Sequence, residues 1–205
     1  PIQRATAKNK FSTNKLGVGI TSPSYNVHSV TTSGSDYAGF FHNSAGGGNG
    51  TALVVKGGAN NTGAGTFIVQ DYGGNTDLMV DGNGHVTMPN QPAFLVHKGD
   101  AHQTFNHSTV TTVTWPSEHF DNNGDFGSNT FTAPVTGKYQ FNVNIRFDNP
   151  DASASFYQIY VVTSNRSYYH IQSLIGLDQN VNYWQMNISL LADLDASDTC
   201  YVRVY

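Results

Sequence analysis

The chain has little charge and almost no cysteine. Charged residues make up 12% of its 205 residues, against roughly 25% in an ordinary globular domain. The single cysteine, Cys200, excludes an internal disulfide framework and is predicted to be a small buried residue. No apolar run reaches the roughly 18 residues of a membrane helix, so we expect no membrane insertion. A net charge of -4 offers no field for binding nucleic acid.

Amphipathic helical patterns are also missing. Short apolar or alternating runs are separated at regular intervals by Gly, Asn, Asp and Ser clusters, which is the pattern of an all-β protein. Polarity comes mainly from neutral amides and hydroxyls. Such a surface suits contact with carbohydrate or close packing between chains.

The clearest strand follows the turn Ala133–Gly137. Apolar side chains occupy every second position (Tyr139, Phe141, Val143, Ile145 and Phe147), and polar ones lie between them (Gln140, Asn142, Asn144 and Arg146). Since successive side chains of a strand point to opposite faces, the pattern predicts one buried face and one solvated face.

Composition divides the chain into four parts. Residues 1–15 are predicted to be a tail or the end of a preceding shaft, 16–88 a β knob or shaft domain, 89–92 a proline-stiffened linker, and 93–205 an antiparallel sandwich head. Short strands are expected at 38–41, 51–55, 66–70, 76–80 and 85–88, with a hairpin turn over Asp81–Gly84.

The N-terminal part is too poor in large side chains to build a monomeric core. Burial is expected between three copies of the chain for six aliphatic residues: Val54, Val55, Ile68, Val69, Leu78 and Val80. A weak monomeric sandwich is the alternative.

The head resembles the globular head of the complement-one-q family, a trimeric jelly roll related to tumour necrosis factor. The resemblance lies in Phe131, Ala133-Pro134, Gly137 and the aromatic pair Tyr139 and Phe141. It extends from Pro92-Ala93-Phe94 to the closing strand Cys200–Tyr205, a little over half the chain. Where the family has Gly-Asp in its closing hairpin, this chain has Ser197-Asp198.

A second resemblance lies in the segment Leu16–Tyr25, LGVGITSPSY, followed by Asn26–Val30. It is similar to an element found in shafts and knobs of bacteriophage tail fibres. Together the two resemblances imply a homotrimeric receptor-binding tip, a non-enzymatic adhesin that recognises a host-surface glycan or protein. It would belong to the distal tail fibre of a virion and assemble in the host cytoplasm, and the lack of disulfides favours assembly inside a cell.

Two alternatives remain open at this point. The first is a secreted, extracellular lectin-like adhesion module of a cellular organism. The second is a purely structural fibre or capsid component.

Sugars bind where an aromatic ring stacks on their C–H face while polar side chains bond their hydroxyls. Two predicted loops offer these groups. One supplies Asn165, Arg166, Tyr168 and Tyr169, and the other supplies Asp148 and Asn149. We expect both loops to lie at the same end of the sandwich.

No catalytic, metal or cofactor motif is present. The chain has no Gly-x-Ser-x-Gly and no His-Glu-x-x-His, and the carboxylates Asp193, Asp195 and Asp198 fall in a predicted turn. The run Asp121–Asp125 resembles the start of a calcium loop, but Phe126 and Thr132 stand where Gly and Glu are needed. An ordinary turn is predicted there, and structural calcium has no motif to support it.

Overall fold

The computed structural model describes residues 10–12, 14–32, 34–35, 37–42, 51–57, 61–106, 108–176, 179 and 181–205. Within them, the N-terminal part contains β1 (Lys10–Ser12), β2 (Lys15–Val18), β3 (Val27–Ser29), β4 (Gly65–Gln70), β5 (Thr76–Asp81) and β6 (Val86–Thr87). The head contains β7 (Phe94–His97), β8 (Thr111–Thr112), β9 (Ser117–Asp121), β10 (Phe126–Gly127), β11 (Thr130–Thr132), β12 (Gly137–Asp148), β13 (Phe156–Thr163), β14 (Ser167–Ser173), β15 (Tyr183–Leu194) and β16 (Thr199–Val204). A single 3-10 turn spans Asn122–Gly124.

The protein is all-β, as predicted, and its sheets are antiparallel except for the parallel pair β2–β3. Strands β10, β11, β16, β13 and β14 form one sheet in that order, and β8 also pairs with β16. Strands β12 and β15 form a second sheet. The core lies between these two sheets, because Ile145 of β12 and Met186 of β15 pack in one cluster with Ile159 of β13.

Strand β12 confirms the predicted alternation. Phe141, Ile145 and Phe147 are buried, while Asn142 and Asn144 are exposed. Burying one side chain of this size stabilises a fold by about 1.5–3 kcal/mol. The odd-numbered side chains of β12 therefore face the core, and the even-numbered side chains, which include several amides, face solvent.

Aromatic rings fill one half of the core. Phe131 is 2% exposed, and its ring centroid lies 5.2 Å from that of Phe94, 5.3 Å from Tyr139 and 5.6 Å from Phe141. The residues of the Ala-Pro turn motif and the following strand thus pack on one ring. This packing explains why aromatic residues recur at that spacing.

Two expected N-terminal strands are not formed. Residues 38–41 and 51–55 are bends and coil that pair with no strand of the described chain, and a strand requires a hydrogen-bonded neighbour. The strands expected at 66–70 and 76–80 are confirmed as β4 and β5, and the turn over Asp81–Gly84 connects β5 to β6.

The buried apolar residues of the described chain all belong to the head, between Val113 and Val204. Among residues 14–88, no apolar side chain is buried where the structure describes burial. Strand β4 shows the consequence: Phe67, Ile68 and Val69 are successive residues that point to both faces, and each is at least 40% exposed.

Candidate functional site

The Arg166 turn, residues Ser164–Arg166, joins β13 to β14 and is held by hydrogen bonds. Thr163 Oγ1 accepts from the Arg166 amide at 3.0 Å. Asn165 Nδ2 donates to the Asp193 carbonyl at 3.0 Å and to Asp198 Oδ2 at 2.9 Å. These bonds attach the turn to the end of β15 and to the β15–β16 connection.

Arg166 is anchored as well, since its Nη2 lies 3.1 Å from Asp193 Oδ2. A small cavity of about 250 Å³ opens beside the turn. Its polar lining comes from Thr136, Lys138, Asn165, Asp193 and Asp195. The cavity presents both signs of charge and no aromatic ring, so it can bond hydroxyls but cannot stack a sugar.

Asp148 and Asn149 lie at the opposite end of the sandwich. In the β12–β15 ladder Asp148 faces Tyr183, whereas Lys138 faces Asp193, the partner of Arg166. Ten residues of strand separate these two pairs, about 33 Å at roughly 3.3 Å per residue. The expectation that the two loops share one end is therefore wrong, because β12 runs the length of the sandwich and β13 returns along it.

Asp148 is engaged locally. Arg146 donates to it through Nε at 2.8 Å and Nη2 at 3.2 Å, and His102 Nδ1 lies 3.5 Å from Asp148 Oδ2. The hydrogen bond and the charge of Asp148 raise the pKa of Arg146. Asn149 adopts a left-handed backbone with φ 52° and donates its amide to the Asn182 carbonyl at 2.9 Å.

Tyr168 and Tyr169 are successive residues of β14 and point to opposite faces. Tyr168 is half-buried against the core. Tyr169 is 62% exposed and lies opposite Tyr160 of β13, with ring centroids 6.4 Å apart. Of the two, only Tyr169 presents its ring to an incoming ligand.

Tyr169 belongs to a larger surface, which we call the tyrosine face. It is the outer face of the six-stranded sheet, and cross-strand register assigns its members: Phe156, Gln158, Tyr160, Tyr169, Ile171, Tyr201, Arg203 and Tyr205. Their strand neighbours Ile159, Val161, Val202 and Val204 point inward and are buried. The tyrosine face therefore covers three adjacent strands, β14, β13 and β16.

The rings of the tyrosine face are organised. Phe156 stacks on Tyr205 with centroids 5.4 Å apart, and the Arg203 guanidinium lies 4.9 Å from the Tyr201 ring centroid. Tyr160 donates its hydroxyl to Gln158 Oε1 at 2.8 Å. Flat rings beside a guanidinium donor can stack a sugar and bond its hydroxyls, and they can equally pack against another chain. Gln158 is only 7% exposed, so its role is to accept the hydrogen bond from Tyr160.

Tyr160, Tyr201 and Arg203 were not among the ligand-binding residues predicted from the sequence. The signal was present, because the alternation of β13 and β16 sends Ile159, Val161 and Val202 inward and these three residues outward. Recognising the surface also required knowing that β13 and β16 are neighbours. That pairing joins residues some forty positions apart in the chain.

The other sheet presents a different surface. On the outer face of β12 and β15, Ser189 Oγ donates to Asn142 Oδ1 at 2.7 Å, and Gln185 Nε2 donates to Asn144 Oδ1 at 2.7 Å. These amides bond to one another across the ladder. A ligand would have to compete with those bonds, which makes this face a weaker candidate than the tyrosine face.

The acidic turns serve the backbone. Asp121 accepts from the Asp125 amide at 3.1 Å and from the Phe126 amide at 2.9 Å. Within the described residues no group of three or more His, Cys, Asp or Glu side chains is arranged to hold a metal ion.

The thiol of Cys200 is 4% exposed. Burial raises the pKa of Cys200 to about 12. Its thiol therefore stays protonated at neutral pH and is a poor nucleophile.

The described part of the chain contains no helix with the length and apolar character to cross a membrane. Neither a protein-family model nor any curated protein matches this chain.

Proposed function

We propose that this chain is the receptor-binding end of a phage or virus fibre: a non-enzymatic, homotrimeric adhesin that binds a host-surface glycan or protein. The observation that carries the proposal is the contrast between its two parts. The head has its own core, whereas the described residues of 10–88 expose Val27, Phe40, Phe41, Leu53, Val54, Val55, Phe67, Ile68 and Val69.

Such exposure is costly for an isolated chain, since each large apolar side chain gains about 1.5–3 kcal/mol when fully buried. Contiguous exposed apolar surface in a folded protein marks an interaction site. Three copies side by side would cover the strands β4 and β5 and the exposed residues 51–57 of each chain. The N-terminal part then acts as a trimeric stalk and the head as its tip.

The tyrosine face is the proposed ligand-binding surface, with Tyr169, Tyr160 and Tyr201 as stacking platforms. Arg166 and Asn165 lie beyond the end of the same two strands, β13 and β14, where they can bond ligand hydroxyls. Binding at each head can be weak, because three heads and several fibres raise the effective concentration. No cofactor is required for this mode of action.

Oligomeric state is the first test. Light scattering is expected to give a mass of three times 22.2 kDa. Ile68→Asp and Val69→Asp are expected to yield monomers, whereas Leu191→Asp, at a residue of β15 that is 60% exposed, should remain trimeric. A monomeric wild type at micromolar concentration would contradict the proposal.

Binding is the second test. Tyr169→Ala and Tyr201→Ala are expected to reduce binding to host cells or a glycan array at least tenfold. Tyr183→Ala is the matched control, because Tyr183 is 66% exposed but lies on the other sheet. A trimer that binds neither cells nor glycans would favour a structural role, in which another chain covers the tyrosine face.

A further inference from the structure

A long cleft runs along the edge of β12. Its volume is about 1450 Å³, and every residue of β12 lines it. Strand β7 and the segment 98–105 line it as well. Val113, Val161 and Val202, which belong to the opposite half of the sandwich, also contribute to the lining. These three valines are at most 7% exposed and form the closed floor of the cleft.

The walls of this cleft are strand edges. Strand β12 pairs with β15 along one edge, and no strand of the described chain pairs with its other edge. Strand β7 pairs only with β9 within the same residues. A strand of twelve residues is about 36 Å long at roughly 3.3 Å per residue, and its unpaired edge carries a row of amide and carbonyl groups that require partners.

We propose that this cleft accepts an extended strand from a partner polypeptide in which every second side chain is apolar. Main-chain groups repeat with the two-residue period of the β12 edge, so a polypeptide strand can satisfy them in series. A lipid or a compact small molecule lacks that repeat. The length of the cleft and the unpaired main-chain groups of the β12 edge thus both favour an extended polypeptide.

The side-chain pattern of the partner follows from the two faces of β12. A strand added to this edge would direct alternate residues to the inner side of β12, beside the half-buried Tyr139 and Val143, where apolar groups are stabilised. The residues between them would lie beside Asn142, Asn144 and Arg146 on the solvated face, where polar groups are tolerated. The partner should therefore read apolar, polar, apolar over about ten residues.

The test uses the full 205-residue chain and a panel of fluorescently labelled ten-residue peptides. In each peptide Val, Ile, Leu, Phe or Tyr occupies every second position, and Thr or Lys occupies the others. We expect saturable binding by members of the panel and slower deuterium exchange in β12. N-methylation of alternate amides should weaken binding at least tenfold, because it removes the donors of the ladder.

Two leucine variants form a matched pair. Leu95 lines the cleft and is 48% exposed, whereas Leu191 is 60% exposed and lies outside it. Leu95→Glu should weaken peptide binding at least tenfold, and Leu191→Glu should leave it unchanged. Equal effects of both variants, or binding insensitive to N-methylation, would show general apolar adhesion and overturn the proposal.

Exchange measured without peptide distinguishes the other occupants. Protection of β12 on both edges that rises with protein concentration would mean that a second copy fills the cleft. Protection that is independent of concentration would mean that the chain closes the cleft itself. Either result, or an absence of binding across the whole panel, would overturn a partner strand.

Discussion

Arg166 and Asp193 form an ion pair across the end of the sandwich, with Arg166 Nη2 3.1 Å from Asp193 Oδ2. The pair joins the β13–β14 turn to the end of β15. Arg166 was predicted to bind ligand. Asp193 was predicted to lie in a turn, but it lies within β15, opposite Lys138 of β12. Both side chains remain open to solvent, at 56% and 45% exposure.

Arg166→Ala is expected to lower the free energy of unfolding by less than about 1 kcal/mol, because exposed ion pairs contribute about 0.2–1 kcal/mol. Urea unfolding at low and high salt measures this. The difference from wild type should shrink at about 1 M salt, where charges are screened beyond about 3 Å. A loss above about 2 kcal/mol that salt does not change would contradict a surface role.

Phe131→Ala should lower the free energy of unfolding by about 3–5 kcal/mol, since it opens a cavity among Phe94, Tyr139 and Phe141. Phe120→Ala is the control, because Phe120 is 46% exposed, and it should cost less than about 1 kcal/mol. Chemical denaturation of both variants tests the ranking. Similar losses would mean that the aromatic cluster does not support the head.

Cys200 should make stability fall at high pH. Its pKa rises from 9.0 to about 12 on folding because the thiol is buried. Between these values the unfolded thiol ionises and the folded one does not, so alkali favours unfolding by about 1.4 kcal/mol per pH unit from this group. Below pH 9 the contribution is fully retained.

Comparison with Cys200→Ala isolates the contribution of the thiol to the pH dependence of stability, because tyrosines and lysines titrate alike in both proteins. The stability difference between wild type and variant should shrink steadily from pH 9 toward pH 12. A thiol reagent at pH 8 should label Cys200 only after denaturation. Rapid labelling of the native protein would be inconsistent with the burial.

Ser197→Gly should stabilise the head by about 0.5–1 kcal/mol. Ser197 has φ 75°, a conformation that costs a residue with a side chain about 1–2 kcal/mol, while added freedom of glycine in the unfolded chain offsets about 0.5–1 kcal/mol. Ala196→Gly, at a neighbour without positive φ, should destabilise instead. Thermal unfolding of the two variants should therefore shift in opposite directions.

The same position links the sequence to the structure. Ser197-Asp198 stands where the resembling family usually has Gly-Asp. The backbone of Ser197 is left-handed, a conformation that glycine adopts most easily. The Ser197 amide nevertheless donates to the Ala133 carbonyl at 2.7 Å. The turn keeps its geometry, and the serine carries the conformational cost.

The local features could be predicted well. The alternation in Tyr139–Phe147, the closing strand Cys200–Tyr205 and the turn over Asp81–Gly84 are all confirmed. Residues 38–41 and 51–55 have equally apolar patterns and form no strand in the single chain. The difference is the presence of a hydrogen-bonded neighbour, which a short window of sequence does not contain.

Sequence patterns were sufficient to predict the all-β class, the inward-facing side chains of β12 and the turn over Asp81–Gly84. These properties depend on a two-residue period and on the residues that turns require, both of which are local. The placement of Arg166 and Asp148 at opposite ends, and of Tyr160, Tyr169 and Tyr201 on one face, became known from the folded structure alone. In the part of the chain that the structure describes, the second edge of β12 also has no strand partner. Strand order is set by contacts between distant residues, and no local pattern records which strands become neighbours.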